Sequence, residues 1–165
     1  MEFLEPSFVL AIAVLIFLLV TVAKGVRQVP QGYKWVVQRL GKFSTSLNPG
    51  LNFIIPYIDN VSFKVTTKDI VLDIPSQEVI TKDNAVLVTN AVAYINIVSP
   101  EKAVYGVENY VIAIQTLVQT SLRSIIGEMS LDDALSSRDH IKAKLKAAIS
   151  DDISDWGITL KTVEI

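Results

Sequence analysis

The sequence predicts a mixed α/β (α+β) domain behind a single N-terminal transmembrane helix. Three observations lead to this prediction: an uninterrupted apolar run near the N-terminus, extended segments in the first half of the chain, and longer helical stripes in the second half. Half of the 165 residues are hydrophobic, which leaves enough for a core once the run is set aside. We therefore expect an anchor at 1–25, a strand-rich subdomain at 26–97 and a helix-rich subdomain at 98–165.

The apolar run from Ser7 to Ala23 has the composition of a single membrane span. It contains no charge, glycine or proline and would form a helix of about 26 Å, close to the ~30 Å hydrocarbon core of a bilayer. Lys24 and Arg27 follow it, so the positive-inside rule places the bulk of the chain on the cytoplasmic side of the cell membrane. A signal peptide is disfavoured because the chain opens with acidic residues and has only a poor cleavage site.

The residues after the anchor predict strands and turns. Val26 to Leu40 is expected to form two extended pieces separated by a turn at 30–32. Alternation in the second piece puts Tyr33, Trp35 and Val37 on one face, which fits either core packing or placement at the headgroup level. Pro49-Gly50 is typical of a turn in which glycine takes a positive φ.

The segment from Leu51 to Ile58 is the candidate lipid-contact site. It is very apolar although Pro56 lies inside it, which favours an edge strand or a loop. In a basic region next to the anchor, such a loop could dip into the leaflet; the alternative is a strand beneath the domain core. The candidate lipid-contact residues are Leu51, Phe53, Ile54, Ile55, Tyr57, Ile58, Lys24 and Arg27.

Two further strands are predicted to form a hairpin. An extended segment is expected to end at Pro75, and 77–80 and 86–97 then read as strands joined by a turn at 81–84. The strand at 86–97 is apolar on both faces, which predicts a central strand covered on both sides.

The second half predicts three helices and a final strand. Ser99-Pro100 begins a short helix, 110–126 carries a helical apolar stripe, and Ser130 caps a helix that continues to Trp156. The strand from Thr159 is expected to continue past Ile165, as in a fragment of a longer protein.

Charge is distributed unevenly along the chain, although its net value is only −2. Residues 24–68 carry seven Lys/Arg and one acid, a balance of +6, whereas 69–165 carry eight Lys/Arg and fourteen acids, a balance of −6. The basic part suits an anionic leaflet. The acidic part argues against nucleic acid as a partner.

The residues that usually carry chemistry are sparse. The chain has no cysteine, and His140 is its single histidine, placed on a charged helical segment. Without a GxSxG motif, a metal-ligand cluster or a phosphate-binding glycine loop, we expect neither catalytic residues, a metal nor a cofactor. A hydrolase that depends on His140 is the enzymatic alternative.

Several strings come in an order that resembles the stomatin/prohibitin/flotillin superfamily, whose shared unit is the SPFH or band 7 domain. They are Val29-Pro30-Gln31-Gly32-Tyr33, Arg39-Leu40-Gly41-Lys42-Phe43, Leu47-Asn48-Pro49-Gly50-Leu51, Ile55-Pro56, Asp73 to Asn84, Arg123 to Gly127, Leu131 to Arg138 and Trp156-Gly157-Ile158. The resemblance covers about residues 26–165, and within the superfamily the chain is most similar to the bacterial stomatin-like paraslipin branch.

The resemblance implies two subdomains, SPFH1 and SPFH2, with SPFH1 against the membrane. It implies homo-oligomers that organise membrane microdomains, and hence a non-enzymatic scaffold with lipid as partner. Because some members modulate membrane-bound AAA proteases, a regulatory adaptor of such a protease or of a transporter is the alternative. The long helical region that follows SPFH2 in the family is absent from this sequence, so the chain resembles a truncated member.

Overall fold

The computed structural model describes residues 5–165, so the first four residues of the predicted anchor lie outside the described part. The chain divides into two compact units, Met1–Val65 and Thr66–Ile165. Both contain antiparallel strand pairs and at least one helix, which confirms the mixed α/β class.

The first unit consists of one long helix and five strands. Helix α1 spans Pro6–Gly25, and the strands follow as β1 (Val26–Val29), β2 (Tyr33–Arg39), β3 (Lys42–Leu47), β4 (Gly50–Phe53) and β5 (Asp59–Thr66). Strands β1 and β4 form an antiparallel ribbon, and β2 lies between β3 and β5 in a second sheet. The turn before β4 has the predicted positive φ, 114° at Gly50.

A small apolar cluster holds the first unit together. Its buried members are Val29, Val37, Leu47 and Ile54, and Trp35 packs against them while remaining half-buried. Of the two predicted roles, Trp35 therefore has the one in core packing. Tyr33, predicted on the same face, is exposed.

The second unit is a two-layer sandwich of helices on one sheet. Its elements are β6 (Ile70–Ile80), β7 (Val86–Ile97), α2 (Pro100–Tyr105), α3 (Tyr110–Gly127), α4 (Leu131–Ser136), α5 (Arg138–Asp155) and β8 (Ile158–Glu164). Strand β7 is central, as predicted, with antiparallel neighbours on both sides. Helix α3 packs over β6 and α5 over β8.

Helices cover one face of the β6–β7–β8 sheet, and the part of the opposite face near the hairpin turn is exposed, contrary to the prediction for β7. Alternate residues of β7 such as Ala93, Ile95 and Ile97 are buried under the helices, while Val86 and Val88 on the opposite face are more than 60% exposed. The apolar pattern on both faces therefore reflects one buried face and one outer apolar face.

Strand β6 continues through Pro75, where the sequence predicted its end. The register with β7 shifts between Ile74 and Gln77, so the proline occupies a bulge that does not need its missing N–H. Glutamines of α3 bind the backbone there: the Gln115 side chain donates to the Asp73 carbonyl at 2.8 Å, and the Gln77 side chain in turn donates to the Gln119 carbonyl at 2.9 Å.

The two compact units divide at Val65/Thr66. Strands β6 and β7 lie in the same sheet as β8, the last strand of the helical half, so the predicted subdomain boundary at 97/98 separates strands of one sheet. The helix predicted from Ser130 to Trp156 breaks at Ser137 into α4 and α5. The break changes the helical phase, so Leu135 is exposed whereas Ile141 of α5 is buried.

The β6–β7 turn is fixed to the start of α4 by Asp83. Its carboxylate accepts from the Thr81 hydroxyl at 2.5 Å and from the Leu131 N–H at 3.2 Å. The bond from Thr81 is the main reason that the pKa of Asp83 lies below its ordinary value of 3.8. Folding therefore favours the ionised form of this side chain.

We expect Asp83→Asn to reduce the acid sensitivity of the second unit. The stabilisation from the ionised carboxylate is complete above about pH 5 and disappears as the pH falls through the lowered pKa of the folded protein. Urea midpoints between about pH 6 and about pH 3 should therefore fall less in Asp83→Asn than in the parent. Asp152→Asn, on the exposed side of α5, is the control, and its urea midpoint should fall as much as that of the parent. An equal fall of the midpoint in all three proteins would contradict the role of Asp83.

Candidate membrane-contact site

Helix α1 is long and apolar enough to cross a membrane. Its 20 residues include an 18-residue window of mean hydropathy 2.7, none of which is buried inside the protein. Twelve large apolar side chains from Phe8 to Val22 are more than 40% exposed. Pro6 occupies the first turn, where the backbone N–H groups have no partner within the helix, so the N–H that proline lacks is not needed. Lys24 lies in the last turn, where a positive charge is favourable.

The end of α1 is joined directly to the strand segment that carries the candidate lipid-contact residues. The Ile54 N–H donates to the Gly25 carbonyl at 2.8 Å. A Cβ at position 25 would lie 2.7 Å from the Ile54 carbonyl oxygen, so the close approach requires glycine. The backbone at 54 is thereby fixed at the level where the helix ends.

The β1–β4 ribbon extends this junction without a linker. Val26, the first residue after α1, lies opposite Phe53, and Gln28 lies opposite Leu51. Side chains alternate across a strand, so Leu51 and Phe53 share one face of the ribbon. They are 71% and 75% exposed.

An ion pair between the half-exposed Arg39 and the buried carboxylate of Asp59 closes the loop that follows β4. The Asp59 carboxylate, 4% exposed, binds the Arg39 guanidinium through two bonds of 2.7 and 3.1 Å. The same carboxylate accepts from the Ile55 N–H, and the Asp59 N–H donates to the Ile55 carbonyl. Hydrogen bonding to Arg39 lowers the pKa of Asp59, so the carboxylate stays ionised.

The closed loop places Tyr57 along the side of α1. Its ring stacks on Phe17 with a 6.4 Å centroid separation and a 3° interplanar angle. Its hydroxyl oxygen lies 3.5 Å from the hydroxyl oxygen of Thr21. Phe17 precedes Gly25 by two turns, about 12 Å along the axis. The Tyr57 ring therefore lies beside the middle of α1 rather than beside its C-terminal end.

The structure brings together most of the predicted lipid-contact residues and removes one from the set. Leu51, Phe53, Ile55, Tyr57 and Ile58 are exposed near the end of α1, as are Lys24 and Arg27. Ile54 is the exception. It is 8% exposed within the apolar cluster of the first unit, because its hydrogen bond to Gly25 turns it inward.

His140, the residue considered for catalysis, belongs to the second unit. His140 is exposed on α5. Within residues 5–165, no cluster of three or more His, Asp or Glu is arranged to hold a metal ion.

Comparison with known proteins establishes the family. The model of the SPFH domain / Band 7 family matches residues 27–165, which is nearly everything after α1. This chain therefore belongs to the SPFH/band 7 family. The family, taken with the exposed apolar helix, indicates association with a membrane.

Named relatives refine the comparison. The chain is 41% identical over its full length to a stomatin homolog of Pyrococcus horikoshii and 44% identical over 94% of its length to an uncharacterized protein of Archaeoglobus fulgidus; it spans 61% of each. It is 36% identical over 91% of its length to an uncharacterized protein of Mycobacterium tuberculosis, of which it spans 39%.

We expect Gly25→Ala to loosen the junction between α1 and the loop. The added methyl must displace the Ile54 carbonyl, which weakens the hydrogen bond between the two backbones at a cost of about 1–3 kcal/mol. Amide hydrogen exchange at Ile54 in detergent micelles should accelerate roughly fivefold or more.

Gly127→Ala is the matched control. A Cβ there would lie 3.7 Å from the Ile80 carbonyl, an ordinary contact, and should leave exchange at Ile54 unchanged. Unchanged exchange in Gly25→Ala would mean that the junction does not depend on the missing side chain.

Proposed function

We propose that this chain is a membrane-anchored scaffold that spans the cell membrane once and oligomerises to organise a membrane microdomain and its resident proteins. The observation that carries the proposal is the exposed apolar helix joined, without a linker, to a second exposed apolar surface in an SPFH domain. No catalytic step is needed for this role. Lipid and further copies of the chain are its partners.

Energetics favour lipid contact for the 51–58 segment. Exposing a large apolar side chain to water forgoes roughly 1.5–3 kcal/mol relative to burying it. Five such side chains lie beside the end of α1, and Tyr57 runs along the helix itself. If α1 spans the bilayer, the Tyr57 ring lies within the membrane and Phe53 at its boundary.

Charge supports the proposed orientation. Lys24 and Arg27 directly follow the apolar part of α1 and are exposed. An excess of cationic residues next to a span favours the cytoplasmic side, where anionic lipids add about 1 kcal/mol for each Lys or Arg near the surface.

An exposed apolar sheet face in the second unit supports oligomer formation. The face comprises Val71, Ile80, Val86 and Val88, each at least 58% exposed on the outer side of the β6–β7 pair. Ile80, Val86 and Val88 are neighbours near the β6–β7 turn, and exposed apolar side chains grouped in this way are typical of an interface. In a scaffold, a neighbouring copy would cover this face.

Lipid contact by the loop can be measured by depth-dependent quenching. Phe53→Trp and Tyr57→Trp, each in a Trp35→Phe/Trp156→Phe background and in vesicles with bromines along the acyl chain, should be quenched. We expect the deeper bromines to quench position 57 more than position 53, because Tyr57 stacks on Phe17.

Ile112→Trp provides the comparison for that experiment. Ile112 is equally apolar and 60% exposed, but it lies on α3 in the acidic second unit. It should show little quenching. If positions 53 and 112 are quenched alike, the loop is not a specific lipid contact.

Oligomer formation can be tested with Val88→Lys. The substitution puts a charge at the centre of the outer sheet face, opposite Glu78 in the register, where it does not create like-charge repulsion within the sheet. Light scattering of detergent-extracted protein should show large particles for the parent and a loss of mass for the variant. Ile112→Lys, at a similarly exposed site, should keep the parental mass.

The same measurement separates scaffold from adaptor. A strictly monomeric parent that co-purifies with a protease or transporter at fixed low stoichiometry would contradict the scaffold and support the regulatory adaptor.

A further inference from the structure

A polar groove of about 230 Å³ lies in the first unit, close to the end of α1. Arg27 of β1 and Trp35 of β2 line it together with four residues of β5: Asp59, Asn60, Val61 and Lys64. Arg27 has the same strand parity as Val29, whose side chain joins the core, so it lies on the face of the ribbon opposite Phe53. The groove and the apolar loop thus use different faces of the same ribbon.

The groove is lined by two positive charges, Arg27 and Lys64, that no carboxylate among residues 5–165 neutralises. Its carboxylate, Asp59, is already bound by Arg39 and by the Ile55 N–H. Within residues 5–165, neither Arg27 nor Lys64 forms a salt bridge with a carboxylate. An anion that enters the groove therefore meets two available cations.

Trp35 gives the groove a fixed wall. Its ring packs against the apolar cluster, and the Lys64 ammonium lies 4.5 Å from the ring centroid. A cation–π contact of this kind holds the ammonium over the ring while leaving its N–H donors available. Asn60 adds an amide that can donate to an oxygen.

The level of the groove relative to a spanning α1 indicates which anion would reach it. Arg27 is the second residue after α1, so in a spanning helix its backbone lies just outside the hydrocarbon core. Lipid phosphates occupy that level, and tryptophan is enriched there. Resting on the proposed membrane anchoring, we propose that this groove binds the phosphate of an anionic phospholipid headgroup.

The chemistry of each group defines its part in binding. The Arg27 guanidinium can form two parallel hydrogen bonds with phosphate oxygens, and the Lys64 ammonium acts as a point charge. Asn60 is placed to contact the glycerol or headgroup hydroxyls. Lys24, although equally close to the membrane, does not line the groove.

The test uses the full chain in nanodiscs of phosphatidylcholine with increasing phosphatidylglycerol. In a Trp156→Phe background, Trp35 is the single tryptophan, and its emission is read with excitation at about 295 nm, where tyrosine absorbs little. We expect its emission to change saturably with the phosphatidylglycerol fraction. Arg27→Gln, which leaves the Trp35–Lys64 contact in place, should raise the half-saturating fraction roughly fivefold.

Lys42→Gln is the matched control, because it removes one exposed positive charge of the same unit outside both the groove and the candidate lipid-contact residues. It should leave the half-saturating fraction within about twofold of the parent. An equal effect of both substitutions would reduce the observation to general attraction of a basic surface and overturn the site. An absence of any saturable change in protein that remains in the nanodisc would overturn the site while leaving membrane anchoring intact.

Soluble anions distinguish the two sources of phosphate. Inorganic phosphate and glycerophosphoglycerol, added at millimolar concentration to protein in pure phosphatidylcholine nanodiscs, should leave Trp35 emission unchanged. The same saturable change with either compound would show a site for free phosphate and contradict the lipid assignment.

Discussion

The contact between the end of α1 and the backbone of Ile54 determines how the first unit is arranged. One hydrogen bond joins the Gly25 carbonyl to the Ile54 N–H, and the absence of a side chain at position 25 permits the approach. Because β1 follows α1 without a linker and pairs with β4, the helix and the ribbon share one backbone framework. The apolar side chains of the ribbon and the following loop therefore cannot move independently of the helix end. Whatever fixes the depth of α1 also fixes theirs.

The relative size of the two apolar surfaces indicates different roles. Twelve large side chains of α1 are exposed, against five in the 51–58 segment, so the helix dominates the free energy of transfer into lipid. The segment adds a smaller amount, but it lies on one side of the helix axis. A contact placed off-axis resists rotation of the domain about the helix, which a single span does not. We therefore interpret the loop as an orienting contact and the helix as the anchor.

Local patterns in the sequence predicted the elements that depend on local forces. The apolar run of α1, the β6–β7 hairpin and the stripe on α3 all have the expected place in the structure. Contacts between distant segments decide the features that were missed. Ile54 is buried because Gly25 binds its backbone, and β6 remains a strand beyond Pro75 because α3 supplies glutamine side chains to the bulge. The groove was not predicted because its cations, Arg27 and Lys64, come from different sheets. The sequence pointed to that region through the local excess of basic residues and through Arg27, which was a candidate lipid-contact residue.

The two faces of the β1–β4 ribbon match the two layers of a membrane surface. Phe53 lies on one face and Arg27 on the other, as strand alternation requires. In a membrane, a ribbon with one apolar and one cationic face would fix both the depth of the domain and its tilt relative to the membrane plane. A single spanning helix would fix the depth alone. In the proposed scaffold, copies constrained in this way would meet in the plane with the same orientation, which would remove much of the rotational entropy that association in solution costs. Modest contacts on the outer face of the second unit's sheet can then be sufficient for assembly, because confinement to the membrane also raises the effective concentration of each copy for the next.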